Sequence, residues 1–133
     1  MQGLLLHRDW AGAYGVEGPE VRLAEQQLRS VREVLARASA LSPAPLAVAR
    51  TPVERVLGIC RYFALLHVAF LRAHGVPARV RCGFGRYFDR EKSVDHWITE
   101  RWDGRRWVRD DSQVDELQAR ATGLEFDPHD QPS

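Results

Sequence analysis

The 133-residue chain lacks most features that mark specialised protein classes. Only two cysteines are present, Cys60 and Cys82, which is too few for a disulfide framework, and their spacing fits no zinc motif. Charge of one sign is not in excess: the formal net charge is +1, so no strong field attracts nucleic acid or an anionic membrane. The composition therefore gives no support to nucleic-acid binding or membrane binding.

Long apolar runs are also missing. No stretch reaches the roughly 18 apolar residues that a membrane-spanning helix needs, and the run Leu4–Leu6 is too short for a secretory signal. We therefore expect a cytoplasmic protein. The chain is 44% hydrophobic and 28% charged, as in ordinary globular proteins, and its length fits a single domain spanning residues 1–133.

Two helical patterns precede the first cysteine. Residues 1–19 show no regular pattern, but apolar residues at steps of three and four predict an amphipathic helix over residues 20–38. Further on, Thr51 is a good helix N-cap, since Glu54 follows three residues later. This signature predicts a short helix that ends at Gly58.

A longer apolar helix begins at the first cysteine. It runs from about Cys60 to about His74, where Gly75 and Pro77 end it. Its apolar residues cover nearly the whole circumference, which is typical of a buried central helix. Cys60 thus stands at the N-terminus of a core helix.

After this helix the hydrophobic period changes from helical to two, which predicts strands. The dipeptide Asp103-Gly104 is a strong hairpin signal between two of them. The polar tail from residue 116 onward is predicted to be loosely ordered. The predicted strands cover residues 78–88, 94–102 and 105–112.

The hairpin signal also predicts which side chains meet. In a two-residue hairpin Trp102 pairs with Arg105, so the numbers of any two paired residues sum to 207. That register sets His96 directly opposite Asp111, with both side chains on one face of the sheet. Asp110 then points to the other face. The strand parity therefore selects Asp111 as the hydrogen-bonding partner of His96.

Two interpretations of Cys60 remain open at this point. It is either a small core residue, or a nucleophile whose pKa is lowered by the helix N-terminus and by His96. The pair formed by His96 and Asp111 favours the nucleophile, because a carboxylate that holds one imidazole nitrogen presents the other to a thiol. A metal site that combines these three residues with Cys82 is the less favoured alternative.

The other candidate residues have structural interpretations. Cys82 falls in phase with the apolar residues of its strand and is predicted to be core filler. His67 lies ~10 Å along the helix from Cys60, too far to act as its base. His74 is a helix C-terminal histidine. Trp97 and Trp102 fall on opposite strand faces, so we expect one to pack in the core and the other to line a cleft.

Two segments of the chain resemble the transglutaminase-like superfamily. "GICRYFALLHVAFLRAHGVPARVRCGF" is similar to the family's cysteine helix and its Gly-x-Pro-Ala-Arg turn, and "DHWITERWDGRRWVRDD" is similar to its histidine and aspartate strands. Together the two segments cover about residues 50–115. The matching residues are Cys60, Gly75, Pro77, Ala78, Arg79, His96, Trp97, Trp107 and Asp111.

The resemblance implies an α+β fold of papain-like type, in which N-terminal helices and a central cysteine-bearing helix pack on an antiparallel sheet. It implies that Cys60 attacks an amide or peptide carbonyl to form a thioester, with His96 as base and then acid and Asp111 as its orienter. No metal or other cofactor is needed, and the partner is a protein, peptide or amide substrate. Hydrolysis is favoured over transfer to an amine, because water needs no second binding site. A non-catalytic binding or scaffolding domain is the alternative.

The chain departs from the family pattern at two positions. Tyr62 stands where many bacterial members have an acidic residue, and Asp110 stands where the family is usually apolar. Either change could alter substrate choice or the electrostatics of the site. The similarity to longer bacterial proteins also suggests a short or truncated member.

Overall fold

The computed structural model describes residues 1–89 and 91–132. Strands β1 and β2 form a parallel pair, and β3 to β6 form a second, antiparallel sheet in that order. Helix α2 packs mainly on β4 of this second sheet, which confirms the predicted α+β arrangement. None of the helices in the described residues is both long and apolar enough to cross a membrane. In chain order the elements are β1 (Leu5–His7), α1 (Val31–Leu41), β2 (Val56–Gly58), α2 (Cys60–Ala73), β3 (Ala78–Gly85), β4 (Val94–Trp102), β5 (Trp107–Asp110), α3 (Glu116–Thr122) and β6 (Gln131–Pro132), with 3-10 segments at Arg8–Tyr14, Pro19–Gln27 and Pro52–Glu54.

The N-terminal residues are ordered, so the prediction that residues 1–19 are irregular is wrong for most of this stretch. Leu5 and Leu6 are at most 2% exposed, and β1 pairs with β2 in the register Leu5 to Val56 and His7 to Gly58. A three-residue strand whose partner lies far along the chain leaves no period in the sequence. The pairing brings His7 beside the residues that lead into α2.

The predicted helix over residues 20–38 is correct only from Val31 onward, because the chain turns at Ser30. Residues Pro19–Gln27 form a 3-10 segment, and α1 begins only at Val31. The Ser30 hydroxyl accepts a hydrogen bond from the Glu33 amide at 3.2 Å, and the Glu33 carboxylate accepts one from the Ser30 amide at 2.8 Å. This capping box starts a new helix in the middle of the apolar pattern.

The segment before α2 matches its prediction only in part. The Glu54 carboxylate accepts hydrogen bonds from the Thr51 hydroxyl and amide, as predicted, but only one 3-10 turn follows and the chain then extends into β2. The prediction of a helix ending at Gly58 is therefore wrong. The predicted central helix is confirmed as α2, and its residues Tyr62, Phe63 and Leu66 are each 1% exposed in the main core.

The hairpin between β4 and β5 has a different register from the predicted one. Trp102 pairs with Trp107 instead of Arg105, so paired numbers sum to 209 and Thr99 lies opposite Asp110. The Asp103 carboxylate accepts hydrogen bonds from the two following arginine amides, at 2.8 and 2.9 Å, which moves the turn one residue onward. Because the sum changes by two, every side chain keeps its predicted face.

Two predictions about the C-terminal half fail. Cys82 is exposed and not core, and Phe84 on the same face is 78% exposed, because β3 is the edge strand and burial decreases along the face that carries Ala78. The tail is not loosely ordered throughout: α3 begins after Asp115, whose carboxylate accepts a hydrogen bond from the Gln118 amide at 2.9 Å.

Candidate active site

Cys60 is the first residue of α2 and follows β2 directly. Ile59 holds the N-cap position in extended conformation, so the chain passes from strand to helix in one residue. Gly58 allows this sharp transition, because a Cβ at that position would lie 2.4 Å from the ring of Tyr62. Tyr62 is buried and its hydroxyl donates to the backbone oxygen of Glu25 at 2.7 Å. The burial of Tyr62 therefore gives this side chain a packing role.

His96 and Asp111 are in hydrogen-bonding contact. The Nε2 atom of His96 lies 2.7 Å from Oδ2 of Asp111, and both side chains are at most 6% exposed. The predicted partner is therefore the right one, although Asp111 lies just beyond β5 and not directly opposite His96. The shared face, which the two-residue change of register preserves, is what brings the pair together.

Two residues that the sequence did not single out hold Asp111 in place. Its Oδ2 atom also accepts a short hydrogen bond from the Tyr87 hydroxyl, and its Oδ1 atom accepts one from the Gln113 amide at 3.1 Å. The backbone amide of Asp111 donates to the oxygen of Pro128 at 2.8 Å. The carboxylate is thus fixed in one orientation toward His96.

Aromatic rings shield His96 from water. Phe88 meets the imidazole edge to face at 4.8 Å between centroids, and Tyr87 does so at 5.8 Å. Burial by itself lowers the pKa of His96, but the hydrogen bonds to Asp111 and to Cys60 outweigh burial and raise it to about 9. His96 is therefore protonated at neutral pH.

The thiol of Cys60 is half-buried beside this imidazole. Burial raises its pKa, but hydrogen bonds to the side chains of His7 and His96, the charge of His96 and the backbone of Trp97 lower it to about 6. Since Nε2 of His96 is bound to Asp111, Nδ1 is the nitrogen left for the sulfur. A thiolate and an imidazolium coexist between these two pKa values, which is the state of an activated cysteine nucleophile.

The thiol opens into a cavity of about 520 Å³. Both sheets contribute to it, since His7 comes from β1 and His96 from β4. The described lining residues are His7, Arg8, Asp9, Trp10, Ile59, Cys60, Phe88, Asp89, Val94, Asp95, His96 and Gln113. A cavity of this size, which combines charged and polar side chains with the apolar Trp10, Ile59, Phe88 and Val94, accommodates a small organic group or part of a peptide.

The remaining candidates lie away from this cavity. His67 lies 4.0 Å from Asp110, which also contacts His129 at 2.9 Å, and His74 bonds the oxygen of Phe70. The expectation that a β4 tryptophan lines the cleft is wrong among the described residues. Trp102 packs edge to face on Trp107 instead, and the tryptophan in the cavity is Trp10.

The metal alternative has no geometric basis in the described part of the chain. No group of three or more His, Cys, Asp or Glu side chains there could hold a metal ion. The exposed Cys82 is not among the cavity residues.

The residue beside Cys60 that the sequence missed is His7. It reaches Cys60 only because β1 pairs with β2, and nothing in the local pattern of residues 1–19 predicts that pairing. The run of three buried leucines before it was the available signal, since a short apolar run is consistent with a buried strand.

The comparison with known protein families agrees with this architecture. The family model of the transglutaminase-like superfamily matches residues 15–112, a stretch that includes Cys60, His96 and Asp111. Among solved structures the chain is similar to one described as a putative cysteine protease from Cytophaga hutchinsonii, with 22% identity and a TM-score of 0.40, over 71% of this chain and 36% of that longer one. A search of the curated proteins gives no match. The family match covers well over half of the chain, which therefore belongs to the transglutaminase-like superfamily.

Proposed function

We propose that the chain is a thiol enzyme that acts on an amide or peptide bond through Cys60, His96 and Asp111. The observation that carries the proposal is the hydrogen bond between His96 and Asp111 at the wall of an open cavity that Cys60 and His96 both line. The membership of the superfamily supports the same reaction class.

The first half-reaction forms a thioester. The thiolate of Cys60 attacks the carbonyl carbon, and the electron pair of the carbonyl double bond moves to oxygen. The proton on Nδ1 of His96 then passes to the leaving nitrogen as the carbon–nitrogen bond breaks. Asp111 keeps the imidazole oriented and stabilises its positive charge throughout.

The second half-reaction releases the acyl group. Water attacks the thioester while neutral His96 takes its proton, and the thiolate leaves. A primary amine in place of water would give amide transfer. We favour hydrolysis, because water needs no binding site of its own.

Mass spectrometry after incubation with an activated ester tests the proposal. We expect an acyl adduct on Cys60 that decays as water releases it. In the His96→Ala variant the adduct should form more slowly at neutral pH and, without the base, should persist. Added primary amine reports transfer if it shortens the life of the adduct and yields the amide. Cys82→Ser is the matched control, because this exposed thiol lies outside the cavity and its loss should leave the reaction unchanged.

The pH dependence gives a second test. Acylation by an amide should follow a bell-shaped profile, because the thiolate is lost below about pH 6 and the imidazolium proton is lost above about pH 9. A Cys60 that reacts no faster than a simple thiol at neutral pH would contradict the proposal and favour a binding domain instead.

A further inference from the structure

His7 is placed against the nucleophile by strand pairing. It is the last residue of β1 and pairs with Gly58, two residues before Cys60. Its side chain is 12% exposed and lines the same cavity as Cys60 and His96. It lies outside residues 15–112, the stretch that matches the family model, so the family match assigns it no role.

The hydrogen bonding of His7 determines which of its nitrogens carries a proton. Its Nδ1 atom accepts a hydrogen bond from the backbone amide of Asp9 at 3.3 Å, where His7 caps the 3-10 segment Arg8–Tyr14. An accepting Nδ1 leaves the proton of the neutral imidazole on Nε2. His7 therefore presents an N–H donor in the cavity that Cys60 also lines, and its side chain lowers the pKa of the Cys60 thiol.

The proposed reaction needs donors of this kind. Attack on a carbonyl creates a negative oxygen, which active sites stabilise with two hydrogen-bond donors. The backbone N–H of Cys60 is one, because the first amides of a helix have no acceptor within the helix. His96 is not the second donor, since its Nδ1 proton goes to the leaving nitrogen.

We propose that His7 is the second oxyanion donor of this site. In the resting enzyme its Nε2–H stabilises the thiolate of Cys60. When the sulfur becomes bonded to carbon and loses its charge, the same N–H donates to the oxygen that has gained the charge. No proton is transferred in this step, and the inference rests on the proposed function.

Two reactions of Cys60 separate these roles of His7. Alkylation by iodoacetamide needs a thiolate but creates no oxyanion, whereas acylation by a p-nitrophenyl ester needs both. Each rate is measured as a function of pH up to its plateau, where Cys60 is fully ionised. The variants are His7→Phe, which keeps the ring volume, and the pair His7→Gln and His7→Leu, which differ mainly in the presence of an N–H donor.

We expect His7→Phe to raise the pH at which alkylation begins while leaving its plateau nearly unchanged. Its acylation plateau should fall roughly 100-fold, as is typical when one oxyanion donor is removed. His7→Gln should acylate faster than His7→Leu, a comparison that stands even if His7→Phe does not fold. His74→Phe, at the far end of α2, is the control and should match the wild type.

Equal acylation plateaus in the wild type, His7→Leu and His7→Gln would overturn the inference and leave the proposed function intact. If wild-type Cys60 is not acylated, and its alkylation begins at no lower pH than that of a simple thiol, the proposed function itself is overturned. The two failures are therefore distinguishable from the wild-type measurement alone.

Discussion

At the scale of single residues, the reactivity of the site depends on how much negative charge Asp111 directs at His96. Its Oδ2 atom is shared between His96 and the hydroxyl of Tyr87. Burial, followed by the nearby charge of Asp111, raises the pKa of Tyr87, so that hydroxyl stays protonated and remains a donor. The Tyr87 hydroxyl therefore keeps the carboxylate of Asp111 in place.

Replacing Asp111 should move the alkaline limit of activity. In Asp111→Asn the imidazolium loses its charged partner, so the pKa of His96 should fall by about 1–3 units. The alkaline limb of the acylation profile, near pH 9 in the wild type, should move down by the same amount. The pH dependence of acylation, or an NMR titration of His96, measures the change.

Asp110→Asn is the matched control for that experiment. Asp110 is equally an acid on the same hairpin, but it contacts His129 and Arg101 on the other face of the sheet. Its replacement should leave the alkaline limb where it is. A shift as large as that of Asp111→Asn would show that the strand parity does not decide which acid serves His96.

The sequence identifies His96 and Asp111 for a reason that does not apply to His7. His96 and Asp111 lie close in sequence within one hairpin, and an error of two residues in the register leaves their side chains on the same face of the sheet. His7 and Cys60 meet through a parallel pair of three-residue strands, and Tyr87 reaches Asp111 from the segment after β3. Contacts of that kind depend on tertiary packing that no local period encodes.

At the scale of elements, the junction between β2 and α2 is closely packed just before Cys60. Gly58 lies against the buried ring of Tyr62, and a Cβ there would come within 2.4 Å of it. The strand conformation of Gly58 suits any residue, so the constraint is one of space and not of backbone angle. Even one methyl group must therefore displace either the core ring or the start of α2.

Gly58→Ala should destabilise the fold by about 1–3 kcal/mol, the usual cost of overpacking a core. It should also slow the alkylation of Cys60 at low pH, because the start of α2 shifts. Urea unfolding and alkylation kinetics measure the two effects. Gly12→Ala is the control, since a Cβ at that position meets nothing within 4 Å. A Gly58→Ala variant as stable and as reactive as Gly12→Ala would refute the packing argument.

At the scale of the whole molecule, Glu25 joins three parts of the N-terminal half. Its side chain is 5% exposed and binds Arg22 and Arg37, each at 2.7 Å. It also accepts a hydrogen bond from the amide of Leu57 in β2 at 2.7 Å. The amphipathic pattern of residues 20–38 does not reveal this role, because the predicted continuous helix hides the turn that brings Glu25 inward.

Glu25→Gln should make the protein less stable at neutral pH but not in acid. Burial raises the pKa of Glu25, but Arg22, Leu57 and Arg37 outweigh it and hold the pKa below 4.5. A carboxylate with a lowered folded pKa contributes its stability above the unfolded pKa and loses it as the pH falls through the folded value. The difference from the wild type should therefore shrink below about pH 4.5.

Urea unfolding at neutral and acid pH measures this difference. At neutral pH we expect a loss of about 2–3 kcal/mol, less than for a fully buried pair because Arg37 is 40% exposed. Glu116→Gln is the control, since Glu116 is 79% exposed and its pair with Arg120 should contribute little. If Glu25→Gln loses as much free energy of unfolding in acid as at neutral pH, the ionised carboxylate of Glu25 is not the source of the stability.

The residues that line the cavity come from two separate sheets. His7 belongs to the parallel pair β1–β2, whereas His96 belongs to the antiparallel sheet, and α2 carries Cys60 between them.

Most buried thiols react faster when a protein unfolds, but Cys60 should react more slowly, because its pKa returns from about 6 to about 9. In a Cys82→Ser background at about pH 6.5, the rate should fall roughly tenfold once the greater nucleophilicity of the unfolded thiolate is included. The rate at which Cys60 is labelled therefore measures the fraction of a sample that is correctly folded.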